Sequence, residues 1–139
     1  MKSVFVLFIS SILVFGCQKA GKNEPEEELQ DIERAFQAAL DESSCGRASL
    51  SWLRDLLVKA EEDRLSMAYN GHYVGVISMI RYRGNTLFYT DFALGSGGIA
   101  YYLFDCDGEN IVITGEGAGE IPNEAKKRGN IIYSSLGFL

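Results

Sequence analysis

The chain has very little of the chemistry on which most metal sites and many hydrolases depend. It contains one histidine, His72, and three cysteines, none of them in a C-x-x-C pair. Structural zinc sites need four Cys or His ligands, and thioredoxin-like redox sites need the C-x-x-C spacing. No serine lies in a G-x-S-x-G motif, which argues against an α/β-hydrolase triad. We therefore expect no metal, no cofactor and no catalytic histidine, and we interpret His72 as a solvent-facing strand residue.

Positive charge is also scarce. The chain has 13 Lys and Arg residues against 19 Asp and Glu residues, which gives a net charge of −6. Nucleic acids and anionic lipid surfaces both select clusters of Lys and Arg, so neither is expected as a partner. The glycine-rich segments at 94–98 and 115–119 lack the Lys-Ser/Thr of a phosphate-binding P-loop. Both are interpreted as loops, and either one also suits a mobile recognition loop.

The start of the chain carries its most specific signal. Lys2 precedes an apolar run over residues 3–16, which is shorter than the about 20 residues of a transmembrane helix. A charged start, an apolar run and a small residue before a cleavage point are typical of a secretory signal peptide. Cys17 directly after Gly16 resembles the lipobox of bacterial lipoproteins. An uncleaved membrane anchor and an ordinary secretory peptide are the alternatives.

The lipobox resemblance implies cleavage after Gly16 and a diacylglycerol on Cys17. The membrane, bound through this lipid, is therefore the first expected partner. The predicted organisation is a signal peptide at 1–16, the lipidated cysteine and a solvated tether at 17–28, and a single domain at 29–139. We expect a lipid-anchored protein of the bacterial cell envelope, in the outer membrane and facing either the periplasm or the cell surface.

Two cysteines remain for the folded domain, Cys45 and Cys106. An exported chain permits a disulfide. Such a bond would close a loop of about 60 residues and contribute roughly 4 kcal/mol in the chain-entropy model. The alternative is a pair of unpaired, partly buried thiols.

Hydrophobic periodicity divides the domain into helices followed by strands. Apolar residues at helical spacing predict helices over 27–41 and 50–61. Turn signals at Asn70-Gly71, Arg83-Gly84-Asn85 and Asp107-Gly108 separate predicted strands over 65–69, 72–80, 86–92, 99–104, 111–114 and 131–133. This order predicts an α+β fold in which N-terminal helices pack on one antiparallel meander sheet of about four to six strands.

Four carboxylates follow the spacing of a calcium loop. Asp105, Asp107, Glu109 and Glu116 fall at positions 1, 3, 5 and 12 of an EF-hand register. Asn110 stands at position 6, where that loop needs glycine, and the flanking segments are predicted strands. A type I′ Asp-Gly hairpin explains the same residues more simply, so calcium is kept only as a weak candidate.

Tyrosines are frequent in the predicted strands. Neighbouring strand residues point to opposite faces, so Tyr101 and Tyr102 cannot both lie in one core. If helices cover one face of the sheet, the other face is expected to meet solvent. Tyr82, Tyr89, Tyr101 and Tyr102 are therefore candidate binding residues for a protein or a glycan. Ordinary cross-strand aromatic pairing is the alternative.

The single tryptophan, Trp52, lies in the second predicted helix. We predict that it packs in the core or at the rim of the core, and the lining of a ligand site is the alternative.

Three segments are distinctive: LSWLRDLL at 50–57, IRYRGNTLF at 80–88 and YLFDCDGENIV at 102–112. They resemble the "LPWLKE" helix start, the hairpin and the DCDGN-like turn of a family of small Bacteroidetes lipoproteins of unknown function. The glycine-rich stretch at 115–119 and IIY at 131–133 complete the similarity. The resemblance implies lipidation and a small α+β domain, and it implies no activity.

These observations favour a non-enzymatic, lipid-anchored binding or interaction module. One alternative is an inhibitor or accessory subunit of an envelope enzyme. Another is a small hydrolase that uses paired carboxylates as general acid and base. Whether Asp105, Asp107 and Glu116 converge in a pocket separates the hydrolase from the binding module.

Overall fold

The fold is α+β, as predicted. The computed structural model describes residues 24–66, 72–94 and 101–136. Helices α1, α2 and α3 span Glu24–Glu42, Ser51–Ser66 and Ile121–Ala125, and strands β1 to β4 span Val76–Tyr82, Asn85–Thr90, Tyr102–Phe104 and Ile131–Ser134. The strands form one antiparallel sheet in the order β3-β2-β1-β4. Short 3-10 turns at Ala118–Glu120 and Arg128–Asn130 flank α3.

The two long helices extend beyond their predicted limits. α1 begins at Glu24, so residues 24–28, predicted as part of the tether, are helical. α2 continues to Ser66, so the strand predicted from Leu65 is wrong at its first two residues. The Asn70-Gly71 turn lies outside the described residues. β1 begins at Val76 instead of His72.

The first core lies between the two long helices and one face of the sheet. The apolar stripes predicted for α1 and α2 face the sheet, and β1, β2 and β4 contribute one side chain each from the facing side. Its buried members are Ile32, Ala35, Phe36, Ala39, Leu50, Leu53, Leu57, Ala60, Ile77, Phe88, Phe92 and Tyr133.

A second core covers the other face of the sheet, which was predicted to meet solvent. Here α3 packs Ile121 and Ala125 against inward side chains of β1, β2 and β3. β2 is consequently buried at every position after Asn85. The expectation of one open face was wrong because α3, only five residues long, is too short for hydrophobic periodicity to reveal. The buried members of this core are Ile80, Leu87, Tyr89, Leu103, Ile121 and Ala125.

The predicted hairpin turn between β1 and β2 is present, whereas the segment after β3 differs from the prediction. Arg83 and Gly84 have φ values of 50° and 86°, the left-handed pair that a two-residue hairpin requires. Residues 111–114 are not a strand: next to β3 there is only one bridge, Phe104 to Asn110. β4 is confirmed, but it pairs with β1 at the opposite edge of the sheet from β3.

A buried charged cluster fastens α2 to β4. Glu61 is 4% exposed. Its Oε2 accepts hydrogen bonds from Tyr133 Oη at 2.7 Å and from Arg64 Nε at 2.9 Å. Burial alone would raise the pKa of Glu61, but these hydrogen bonds and the charge of Arg64 outweigh it, so its pKa lies below the ordinary 4.5. Burial and the hydrogen bond to Glu61 also raise the pKa of Tyr133.

Tyr133→Phe is expected to lower the free energy of unfolding by about 1.5–3 kcal/mol at neutral pH, because it removes a hydrogen bond to a charged group. A carboxyl whose pKa is lowered on folding stabilises the protein above its unfolded pKa and loses that contribution as the pH falls through its folded pKa. The cost of Tyr133→Phe should therefore shrink below pH 4.5. Urea unfolding of the wild type and of Tyr133→Phe at neutral and at acidic pH measures this cost. An equal cost at both pH values would contradict the prediction, and half-buried Tyr73→Phe is the matched control.

Candidate functional site

An aromatic groove runs between α2 and the strand ends beside the first core. Trp52, Asp55, Leu56 and Lys59 share one face of α2 because residues three and four apart lie on the same side of a helix. The opposite wall is formed by Tyr73, Leu94 and Phe104, which lie in three separate parts of the chain. The groove has a volume of about 320 Å³ and is lined by Trp52, Asp55, Leu56, Lys59, Tyr73, Leu94 and Phe104.

Trp52 forms the fixed end of the groove. Its Nε1 donates a hydrogen bond to the carbonyl oxygen of Cys106 at 2.9 Å. Its ring meets Phe88 edge-on, with centroids 5.5 Å apart, and lies 5.1 Å from Phe104. Trp52 therefore packs at the rim of the core, as predicted, and also lines a cavity. A partly buried indole with its N–H satisfied presents a rigid apolar surface.

The disulfide beneath Trp52 is present. Cys45 and Cys106 are bonded, with Cα atoms 5.4 Å apart and a sequence separation of 61. The bond joins the α1–α2 loop to the turn after β3, which is the turn that accepts the Trp52 hydrogen bond. The cross-link therefore holds one wall of the groove against the other.

Gly108 allows that turn to pass directly under the indole. Its φ is 82°, in the region that favours glycine, and a Cβ placed there would lie 2.6 Å from Trp52 Cγ. Gly108→Ala is expected to cost about 2–4 kcal/mol through left-handed backbone strain and overpacking, and to shift the Trp52 emission. Gly84→Ala is the matched control: its φ is 86°, but nothing lies within 4 Å of the added carbon.

Urea unfolding followed by fluorescence separates the two glycines. Gly84→Ala should show the backbone strain alone, with unchanged Trp52 emission. Equal costs for the two substitutions, together with an unaltered Gly108→Ala spectrum, would show that Gly108 does not position the indole.

The Asp105–Glu109 segment is a turn, but not of the predicted type I′. Asp105 Oδ1 accepts hydrogen bonds from the backbone N–H groups of Asp107 at 2.9 Å and Glu109 at 3.0 Å. Type I′ needs positive φ at both central residues. Here only Gly108 has one, since Arg83 is the single non-glycine residue with positive φ in the described ranges. This geometry is that of a hairpin with a glycine bulge.

The weak calcium candidate is not assembled. Within residues 24–66, 72–94 and 101–136, no group of three or more His, Cys, Asp or Glu side chains is placed to hold a metal ion. Asp105, Asp107, Glu109 and Glu116 all lie inside these ranges. The Asp105 carboxylate caps its own turn instead.

The four candidate tyrosines do not form one exposed face. Tyr89 is buried in the second core and stacks on Tyr101, with ring centroids 5.4 Å apart. Burial, followed by the charges of Asp91 and Tyr101, raises the pKa of Tyr89 to about 12. Its assignment as a binding residue is wrong, because α3 closes the face on which it lies. Tyr89 of β2 instead pairs with Tyr101, which directly precedes β3, and this is close to the cross-strand aromatic pairing considered as the alternative.

The other two tyrosines are half-buried. Tyr82 packs under the guanidinium of Arg83, whose Cζ lies 5.1 Å from the ring centroid. Tyr102 stacks on Phe104 with an interplanar angle of 11°. Phe104 lines the aromatic groove, so Tyr102 supports that wall.

The single histidine lies next to the groove. His72 is exposed, and its Nδ1 lies 3.3 Å from the carbonyl oxygen of Ala93. It precedes β1 and is not a strand residue, contrary to the sequence-based prediction. The contact fastens the segment before β1 to the one after β2, and these two segments supply Tyr73 and Leu94.

A second cleft of about 260 Å³ brings two carboxylates together. Its lining includes Glu42, Glu124, Arg81 and Asn130. Glu124 accepts hydrogen bonds from Lys127 and Asn130. The Lys127 hydrogen bond, more than any other factor, lowers the pKa of Glu124. The Glu124 carboxylate is therefore engaged by its own neighbours, Lys127 and Asn130.

The predicted signal peptide at residues 1–16 and the predicted lipidation site at Cys17 lie outside the described residues. In the part of the chain that the structure describes, no helix combines the length and apolar character needed to cross a membrane. Comparison with known proteins found no matching family model, no matching curated protein and no matching solved structure.

Proposed function

We propose that this chain is a lipid-anchored protein of the bacterial cell envelope whose domain binds a protein partner in the aromatic groove without catalysing a reaction. The observation that carries the proposal is the groove itself, with rings from α2, from β3 and from the segment before β1 converging on one cavity. The sequence that resembles a lipobox supports the anchor at Cys17.

The composition of the groove supports a protein partner. Aromatic and aliphatic side chains fill its centre, and the exposed residues Asp55 and Lys59 stand at its rim with opposite charges. An apolar centre inside a polar rim is the usual anatomy of a protein–protein contact. A single apolar side chain of a partner would then supply much of the binding energy.

The rigidity of Trp52 supports the same interpretation. The indole is fixed by its hydrogen bond to Cys106, by Phe88 and by the disulfide-linked turn. A side chain that is already fixed loses little conformational entropy on binding. The groove therefore has one preorganised wall.

Crosslinking from the groove on intact cells tests the proposal. A photoreactive amino acid in place of Lys59 is expected to capture a defined partner, and Tyr73→Ala in the same chain is expected to abolish the adduct. The same amino acid in place of Arg83, at the hairpin tip, is the matched control. Equal capture from both positions, or none from position 59, would refute the groove as the protein-binding site.

The partner class is decided by the same set of variants. An adduct with a secreted or envelope enzyme whose rate changes on binding would identify the inhibitor or accessory-subunit alternative. Binding of the purified domain to a glycan, lost in Tyr73→Ala, would replace the protein partner by a sugar.

A further inference from the structure

We propose that the domain rests with one end against the bilayer that holds its lipid, and that Leu65 and Leu136 contact the lipid surface. The inference rests on the anchor at Cys17 given under the proposed function. We call this end, where α1 begins, α2 ends and Leu136 lies, the anchored end. The opposite end carries the Arg83-Gly84 turn and is called the hairpin end.

α1 rises along β1 from the anchored end to the hairpin end. At its last residue, the carbonyl of Glu42 accepts a hydrogen bond from Arg81, near the end of β1. Ala35 borders the same cavity as Ile131, and Ile131 pairs with Ser78. From Glu42 back to Ala35 the helix descends about 10 Å, and from Arg81 back to Ser78 the strand descends about 10 Å. The helix and the strand therefore run in the same direction.

The first residue of α1 thus lies beyond the start of β1. A helix of 19 residues is about 28 Å long, whereas the seven residues of β1 cover about 20 Å. Because the two elements are level at the hairpin end, Glu24 lies at or past the level of Val76.

α2 crosses the sheet from β3 towards β4 and descends as it does so, which brings Leu65 towards the anchored end. Its beginning, at Trp52, contacts Cys106 and Phe104. Nine residues later Glu61 binds Tyr133, which pairs with Ile77 near the start of β1. Leu65 lies one helical turn further along and is 44% exposed.

Leu136 reaches the same end from β4. Ser135 exchanges hydrogen bonds with the backbone of Gly75, the residue before β1. Leu136 follows it, beyond the level of Val76, and is 50% exposed. Two of the large apolar side chains that the described residues leave exposed therefore lie where α1 begins.

The length of the connecting chain selects the bilayer as the occupant of this end. Residues 18 to 23 separate the lipidated Cys17 from Glu24, the first residue of α1. The seven Cα–Cα steps from Cys17 to Glu24 span at most about 24 Å even when fully extended. The anchored end is thus held within that distance of the lipid headgroups, and its exposed leucines match the apolar side chains that enter a membrane interface.

This orientation leaves the aromatic groove accessible from the side. The groove extends along α2 from Trp52 to Lys59, on the flank of the domain. A partner would approach it parallel to the membrane, and the hairpin end would point away from the lipid.

Quenching of tryptophan fluorescence by brominated phosphatidylcholine tests the orientation in the full chain anchored through Cys17. Leu136→Trp is expected to add an emission that brominated vesicles quench strongly, whereas Arg83→Trp should add one that they leave unchanged. Leu65→Glu combined with Leu136→Trp should reduce the quenching. Asn85→Glu in the same background is the control for the added charge, because Asn85 is exposed and begins β2 at the hairpin end.

Equal quenching at positions 136 and 83, or quenching at neither, would overturn the orientation. Acylation is measured separately by mass spectrometry. A Cys17 that cells leave unmodified would refute the proposed anchor. The orientation is then tested separately, by coupling Cys17 to a maleimide phospholipid in the same vesicles.

Discussion

Cys17→Ala is expected to abolish incorporation of a fatty-acid label into this protein completely. The proposal places every acyl chain on this one residue. Each buried CH₂ contributes about 0.8 kcal/mol to membrane binding, and stable anchoring needs more than one chain. In detergent phase partitioning, the wild-type protein should therefore enter the detergent phase. A chain that starts at Gln18, expressed without residues 1–17, should stay in the aqueous phase.

The two other cysteines provide the control for this experiment. The Cys45→Ala and Cys106→Ala variants should both retain the label. An uncleaved membrane anchor would instead give the full-length mass for the wild type and for Cys17→Ala alike, with no label in either. An ordinary secretory peptide would release an unlabelled wild-type protein, and either result would refute the lipoprotein assignment.

Loss of the Cys45–Cys106 bond is expected to lower the free energy of unfolding by about 4 kcal/mol, since it frees a loop of 61 residues in the unfolded chain. This is a large share of the stability of a domain of this size. The bond also holds the turn that accepts the Trp52 hydrogen bond. The double variant Cys45→Ala/Cys106→Ala should therefore lose near-ultraviolet ellipticity from the indole even where it remains folded.

Urea unfolding of the oxidised wild type and of the double variant measures this loss. Cys17→Ala is the matched control and should unfold at the wild-type midpoint. A difference below about 1 kcal/mol would show that the chain-entropy argument fails for this loop.

Local patterns in the sequence predicted most of the fold. The apolar stripes of α1 and α2 identified the helices, and Arg83-Gly84 identified the hairpin because its two residues adopt the left-handed conformation that such turns need. The cysteine pair was predicted by elimination, since the remaining cysteine was assigned to the lipid. Each of these features depends on neighbouring residues or on simple counting.

The second core and the groove depend on contacts between distant residues. α3 closes the Tyr89 face with only Ile121 and Ala125, too few positions to show a period. Residues 111–114 looked like a strand, but the one bridge that β3 makes here, from Phe104 to Asn110, falls just before them. The groove joins Trp52, Tyr73 and Phe104, which no motif links along the chain, although the Asp-Gly turn beneath the indole was visible in the sequence.

The disulfide also changes how protease digestion of intact cells must be interpreted. The closed loop from Cys45 to Cys106 contains α2, β1, β2 and β3. A single cut inside it leaves the two fragments covalently joined, so a non-reducing gel shows a band of unchanged mass. Only samples reduced before electrophoresis would reveal such cleavage, and a surface-exposed protein examined without reductant would be mistaken for a protected one.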